Sequence, residues 1–118
     1  MAIDSSTFLG KTLYVIHTRA IKSRAEIEKV IPEHLEYQVS LEKRGIMWGA
    51  GPLFDDADAN QGGMIIYRAG SFADARAIAD ADPMHKHGVR GYTIQRWKMN
   101  EGTVSIRVSY SDQRMTIE

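Results

Sequence analysis

Residues 11–18 (KTLYVIHT) constrain the fold more than any other segment of the sequence. β-Branched and aromatic residues dominate this segment, which predicts a β-strand. Its apolar residues fall on both faces, with Leu13 and Val15 on one side and Tyr14 and Ile16 on the other. A strand that is apolar on both faces is covered on both faces. We therefore expect a sheet that is covered by helices on one side and by something else on the other.

Two helices are predicted between the strands. The first covers residues 23–45, and Pro32 marks a break or a new start in it, because proline suits the first turn of a helix and not its interior. Gly45 ends this helix, since glycine readily adopts the left-handed conformation found after helix ends. The second helix begins at Ser71, a residue type that caps helices, and it ends at Asp82-Pro83.

Three further strands complete the pattern, over residues 46–50, 64–67 and 92–99. Gly51-Pro52 is expected to stop the second strand, and residues 53–62 and 84–88 are expected to be loops. The order β-α-β-β-α-β predicts an α+β fold of ferredoxin-like topology, with two helices on one face of a four-stranded sheet. A second copy is the simplest cover for the other face, which predicts a homodimer or a higher homo-oligomer.

A C-terminal extension follows the predicted core of residues 11–99. Within residues 103–118, apolar side chains alternate with polar ones and are followed by a turn and Met115-Thr116-Ile117, which predicts a β-hairpin. Such a hairpin can fold on its own subunit or be swapped onto a partner. We interpret residues 1–118 as one domain, because this length is typical of a single core.

The composition argues against several classes of function. Fifteen basic residues balance fifteen acidic ones, and no long basic run exists, so a nucleic-acid partner is not expected. The absence of cysteine excludes disulfides, thiolate nucleophiles and cysteine-based zinc sites. No apolar run approaches the roughly 20 residues of a membrane helix, and no secretory signal is recognised. We therefore expect a cytoplasmic protein with no membrane partner.

His34 is the first candidate for catalysis. It lies on the predicted helical stripe of Ile31, Leu35 and Leu41, with Gln38 one turn further on. Two polar residues on a core-facing stripe indicate a small polar cavity, in which an imidazole can transfer protons near neutral pH. The alternative, which the residues alone favour, is a half-buried histidine bonded to a backbone carbonyl.

Asp82 is the second candidate, at the end of a helix where the dipole disfavours a carboxylate. It either caps the following turn or orients a histidine, as carboxylates do in acid–base pairs. His85 and His87 follow closely, and the three side chains are a possible set of metal ligands. Three ligands within six residues is a weak signal, so neither a metal nor another cofactor is expected.

Further residues are candidates for binding a small-molecule substrate. His17 either lines the same cavity as His34 or fills a structural position in its strand. Trp48 and Trp97 either line a cavity for a flat substrate or belong to the core or a dimer interface. Gly51 is expected to let a ligand or another backbone approach closely. The predicted substrate-binding set is Gln38, Trp48, Gly51, Pro52 and His17.

The sequence also resembles the YCII-related family. The residues that carry this resemblance are His34-Leu35-x-Tyr37, Leu41-Glu42-x-x-Gly45, Gly51-Pro52-Leu53, Gly62-Gly63, Asp82-Pro83 and Gly88. The resemblance implies a ferredoxin-like dimeric α+β barrel, similar to muconolactone isomerases, with its site in a cleft between helices and sheet. It also implies that His34 and Asp82 form the family's proposed histidine–aspartate pair. Activities assigned in the family include removal of HCl from chlorinated hydroxyquinols.

The leading hypothesis is a cofactor-independent lyase or isomerase. His34 is expected to take a proton from a small, oxygenated, ring-shaped substrate, while Asp82 orients the imidazole and stabilises its charged form. A dehydrochlorinase-like lyase is the most concrete form of this hypothesis. The alternatives are a non-catalytic dimer that binds a metabolite or regulates another enzyme, and a metal-dependent enzyme that uses His85 and His87.

Overall fold

A four-stranded antiparallel sheet forms the centre of the fold. The computed structural model describes residues 2–117, so Met1 and Glu118, the ends of the predicted domain, lie outside the described residues. The strands lie in the order β2-β3-β1-β4, which confirms the α+β, ferredoxin-like arrangement. Their bounds are β1 Lys11–Ala20, β2 Met47–Phe54, β3 Asn60–Tyr67 and β4 Arg90–Met99.

Strand β1 lies inside the sheet and is buried on both faces. Ile16 stands opposite Ile65 and belongs to a core cluster with Leu41 and Ala79, so this side is the helix face of the sheet. Leu13 and Val15 belong to a second cluster with Ile66, Met64 and Met99, on the side that we call the open face. The prediction that β1 is apolar on both sides is confirmed.

The helices α1 (Arg24–Glu28) and α2 (Ile31–Lys43) replace the single interrupted helix of the prediction. Proline at the second position of α2 accounts for the restart. Gly45 follows α2 with a φ of +73°, a conformation that glycine adopts without strain. Helix α3 (Phe72–Ala81) starts at Ser71, whose hydroxyl accepts the N–H of Asp74, as predicted. Among the helices of residues 2–117, none is long and apolar enough to cross a membrane.

The prediction that Gly51-Pro52 stops β2 is wrong. The strand continues to Phe54, and Pro52 stands opposite Gly63. Proline is tolerated there because β2 is an edge strand, where a missing N–H does not break a central ladder. The acidic loop is therefore shorter than predicted, and the carboxylate of Asp55 stabilises it by accepting the N–H groups of Ala57 and Ala59.

The segment after α3 is also more regular than predicted. Instead of a loop over residues 84–88, a short helix α4 (Pro83–Lys86) follows α3 directly. Asp82 ends α3 and at the same time caps α4, because its side chain accepts the N–H of Met84. Proline at the first position of α4 is already in helical geometry. The chain thus turns sharply at Asp82 and places that carboxylate at a fixed point.

The predicted C-terminal hairpin is present. Strands β5 (Ile106–Val108) and β6 (Met115–Ile117) pair in antiparallel register and form a two-stranded sheet of their own. A single-turn 3₁₀ helix, Ser5–Thr7, precedes β1.

Candidate active site

A cavity of about 530 Å³ lies between α2, α4 and the helix face of the sheet. Most of its wall is apolar, which suits the body of a small organic molecule. Polar side chains enter from several elements: His34 and Gln38 from α2, Thr18 from β1, His85 from α4 and Arg90 from β4. The apolar wall is formed by Ile27, Ile31, Leu35, Val39, Met47, Ile65 and Met84.

His34 and Asp82 meet at this wall. His34 Nδ1 lies 2.8 Å from Asp82 Oδ1, although the two residues are 48 positions apart in the sequence. The Asp82 carboxylate is completely buried, whereas 23% of the His34 side chain is exposed. Helix α2 carries the imidazole and the junction of α3 and α4 carries the carboxylate, so two elements hold the pair in place.

Asp82 accepts two further hydrogen bonds. The backbone N–H of Met84 donates to Oδ1 at 2.9 Å, and Gln38 Nε2 donates to Oδ2 at 2.8 Å. Burial alone would raise the pKa of Asp82, but the hydrogen bond and charge of His34, together with the Met84 N–H, lower this pKa below its usual value. The carboxylate is therefore ionised at neutral pH, and each of its partners must donate.

This arrangement determines the tautomer of His34. An ionised carboxylate accepts only, so Nδ1 of the neutral imidazole carries the proton and Nε2 carries the lone pair. His34 lines the cavity, and its Nε2 has no hydrogen-bond partner among residues 2–117. A neutral imidazole with this tautomer and a buried carboxylate behind it is equipped to act as a general base.

A second chain of hydrogen bonds crosses the same cavity. Arg90 Nε donates to Thr18 Oγ1 at 3.0 Å, and Thr18 Oγ1 lies 2.9 Å from His85 Nε2. His85 Nδ1 lies 2.7 Å from the carbonyl oxygen of Ala79 and must donate to it. In neutral His85, Nε2 therefore accepts the hydroxyl proton of Thr18. The ring of Tyr92 packs on His85 with centroids 4.7 Å apart, which holds that imidazole in the wall.

Comparison with known proteins identifies the family. The model of the YCII-related domain matches residues 12–98, which is most of the chain. The protein belongs to the YCII-related family. Among curated proteins, no sequence matches this chain.

Solved structures share the fold of this YCII-related protein, and one of them holds a bound ligand. It is the 5-chloro-2-hydroxyhydroquinone dehydrochlorinase TftG from Burkholderia phenoliruptrix AC1100, in complex with 2,5-dihydroxybenzoquinone. The two chains are 22% identical, and the alignment has a TM-score of 0.54 and covers 73% of this chain and 93% of the other. At this identity the likeness establishes the shared α+β architecture of the YCII-related core.

The structure brings some of the predicted substrate-binding residues of the YCII-related protein together and separates others. Gln38, Gly51 and Pro52 line the cavity that His34 lines. A Cβ atom added at Gly51 would meet nothing within 4 Å, so the side-chain position of this glycine is open space. His17 and Trp48 lie on the open face, where they line a different cavity of about 560 Å³. The period of two along β1 explains the position of His17, because it shares its face with Val15.

The candidate metal ligands of the YCII-related protein turn toward different partners. Asp82 accepts from His34, and His85 is held by Thr18 and Ala79, as described above. His87 Nε2 instead lies 3.2 Å from Glu33 Oε2 on the surface. Within residues 2–117, no group of three or more side chains of ligand type is placed to hold a metal ion.

Sequence reasoning missed several polar residues of the cavity, among them Thr18 and Arg90. A signal for Thr18 was present, because it follows Tyr14 and Ile16 at a period of two and therefore shares the helix face. Arg90 gave no such signal, since it lay before the predicted start of the fourth strand. The structure extends β4 to Arg90 and pairs this residue with Ala20.

Proposed function

We propose that this YCII-related protein is a cofactor-independent lyase or isomerase that acts on a small, oxygenated, ring-shaped substrate. The observation that carries the proposal is the 2.8 Å contact between His34 Nδ1 and the fully buried carboxylate of Asp82 at the wall of a cavity. The acceptor nitrogen Nε2 of His34 remains available to a molecule in that cavity. The apolar wall favours a ring, and the few polar side chains favour oxygen substituents on it.

The chemistry follows from the protonation states of the pair. His34 Nε2 takes a proton from a carbon or hydroxyl of the substrate, and the Asp82 carboxylate stabilises the imidazolium that forms. In a dehydrochlorination, the substrate loses a proton to the base and a chloride ion that leaves with the C–Cl electron pair. Both atoms come from the substrate, so no electron acceptor is needed. In an isomerisation, His34 returns the same proton to another atom.

The shared fold with a dehydrochlorinase makes elimination of HCl the first reaction to test. We propose 5-chloro-2-hydroxyhydroquinone as the test substrate, with chloride release as one readout. The second readout is exchange of substrate C–H for C–D in D₂O, followed by NMR, because a histidine base that removes a carbon proton catalyses this exchange even without loss of chloride.

His34→Ala is expected to lower either rate by about 10² to 10⁴, the usual contribution of a general base. His87→Ala is the matched control, because this histidine pairs with Glu33 on the surface and does not line the cavity. Full activity in His34→Ala would overturn the proposed base. Binding of the ring by the wild-type protein with neither chloride release nor exchange would favour a metabolite-binding module instead.

We also propose that the protein is a homodimer that associates through the open face of the sheet. Trp48 and Trp97 meet edge to face above this sheet, with ring centroids 6.1 Å apart, and remain 44% and 37% exposed. They line the open-face cavity together with Val15 and Ile66 of the second apolar cluster. Such an aromatic surface over a sheet without helices is suited to burial against an identical surface.

A further inference from the structure

Arg90 lies in the cavity without a carboxylate partner. Its side chain is half-buried, and among residues 2–117 no carboxylate oxygen lies within 4 Å of it. Burial lowers the pKa of Arg90, an effect that the charge of Asp82 partly offsets, so the guanidinium is a partly desolvated cation. Asp82 itself is already occupied by His34, Gln38 and Met84. A cation held out of water in this way gains most from an anion that enters the cavity.

The guanidinium of Arg90 is also held in a fixed orientation. It uses two of its five N–H groups on one residue, since Nε donates to the hydroxyl of Thr18 and Nη2 donates to the backbone carbonyl of Thr18 at 3.0 Å. Thr18 is fixed in turn by His85, which is anchored on Ala79. The three remaining N–H groups have no partner among the described residues. A rigid guanidinium with free donors is well suited to bind two oxygen atoms or one charged oxygen.

The other charges around the cavity leave room for an anion. Glu42 is the one carboxylate among the residues that line the described cavity, and its side chain is exposed at the surface of α2. Gln38 is uncharged, and His34 and His85 are the two histidines among the lining residues. Arg90 is the one lysine or arginine that lines the described cavity.

We propose that Arg90 binds a negatively charged oxygen of the substrate, so that the cavity selects ring compounds carrying a phenolate, an enolate or a carboxylate. This inference rests on the proposed function, because it assumes that the substrate lies in the cavity with its reacting C–H or O–H group against His34. Arg90 then stabilises the negative charge that grows on the substrate oxygen when His34 removes a proton. Thr18 and His85 are positioning residues for the guanidinium.

The test measures binding rather than turnover, so its failure differs from a failure of the His34 mechanism. The probe is 4-nitrophenol, which ionises near neutral pH and whose phenolate absorbs visible light. Titrations below and above its ionisation give separate dissociation constants for the phenol and the phenolate. We expect the wild-type protein to bind the phenolate more tightly than the phenol.

Arg90→Gln is expected to weaken phenolate binding by about 10- to 100-fold, as expected for the loss of a charged hydrogen bond, and to leave phenol binding unchanged. Arg90→Lys should retain part of the preference for the phenolate over the phenol, because lysine keeps the positive charge but lacks the paired N–H donors of the guanidinium. Arg107→Gln, on the separate sheet of β5 and β6, removes the same charge elsewhere and should behave as wild type.

Three results would overturn the proposal. The first is a wild-type protein that binds neither form, or binds the phenol as tightly as the phenolate, and this result needs no variant. The second is an unchanged preference in Arg90→Gln. The third is an equal loss of both forms in Arg90→Gln, which would mean that Arg90 only ties β4 to β1.

Discussion

At the scale of single residues, Asp82 has two structural roles at once. It caps α4 through the N–H of Met84, and the same oxygen lies against His34 Nδ1. The sequence offered these roles as alternatives, a turn cap or a partner for a histidine, and the structure shows both contacts. Because the backbone of the α3–α4 junction fixes this carboxylate, it can orient an imidazole without relying on a flexible side chain.

Asp82→Asn should keep the fold and remove the charge. The amide oxygen can still accept from His34 and Met84, and the new NH₂ group can donate to Gln38 Oε1 after a rotation of the Gln38 amide. That oxygen is buried and has no partner among the described residues at present. We expect Asp82→Asn to lower the free energy of unfolding by about 1–2 kcal/mol at pH 7. Asp82→Ala should lower it by about 3–5 kcal/mol, because it leaves the three donors unpaired.

The stability of Asp82→Asn should also depend on pH in a defined direction. The pKa of Asp82 is lowered by folding, so its ionised form stabilises the wild type above the ordinary pKa of 3.8 and this contribution disappears as the pH falls through the lower folded value. The difference in unfolding free energy between wild type and Asp82→Asn should therefore shrink in acid. Urea unfolding of both proteins at pH 7 and pH 3 measures it. An equal difference at both values would contradict an ionised Asp82.

At the scale of elements, β3 lies close to the backbone of β1 at Gly62. This glycine has a φ of +92°, and an added Cβ would lie 2.5 Å from the carbonyl oxygen of Thr18. The same oxygen accepts Arg90 Nη2. The contact between the two strands thus borders the cavity, and any side chain at position 62 would displace the backbone that holds Arg90.

Gly62→Ala should therefore lower the free energy of unfolding by about 1–3 kcal/mol, because both the φ angle and the contact with Thr18 are unfavourable for alanine. Gly51→Ala is the matched control, since this glycine also lines the cavity from a strand, has no positive φ, and its Cβ would meet nothing within 4 Å. Thermal unfolding of the two variants compares them directly. An equal loss of stability in Gly62→Ala and Gly51→Ala would argue against the close approach of Gly62 to Thr18.

Local signals predicted the elements that depend on local chemistry. The alternation in β1, the cap at Ser71 and the glycine after α2 are visible in a short window of sequence. The continuation of β2 through Pro52 was missed because it depends on the edge position of that strand, which only the assembled sheet defines.

The second polar chain of the cavity was missed for a similar reason. Arg90 and His85 contact Thr18 although they are 72 and 67 positions away from it in the sequence, and no local pattern predicts such contacts. His34 and Asp82 were candidates from their residue types and from the family resemblance, but their 2.8 Å contact also spans distant segments. Contacts between such distant residues can be recognised only when the positions of the helices on the sheet are known.

At the scale of the whole molecule, the two faces of the sheet have separate tasks in our proposals. The helix face holds the cavity with His34, and the open face holds the aromatic surface of Trp48 and Trp97. His17 lies on the open face, so in the proposed dimer it lies at the subunit interface. In these proposals, association and catalysis depend on different faces of the sheet.

Trp97→Lys should convert the proposed dimer into a monomer, because it places a charge in the centre of an apolar contact surface. Sedimentation velocity measures the change in mass. Ile3→Lys is the control, since it adds the same charge to an exposed apolar position outside the sheet. A monomeric wild type, or a dimer that persists in Trp97→Lys, would contradict association through the open face.

The edge-to-face pair on the open face has an optical consequence. Trp48 and Trp97 are the two tryptophans of the sequence, and neither lines the cavity of His34. The emission wavelength of the protein therefore reports the environment of one face only. In the proposed dimer, dilution should shift the emission to the red as both indoles become hydrated, whereas a non-absorbing ligand in the His34 cavity should leave the wavelength unchanged. In that dimer, the two indoles would report association separately from ligand binding.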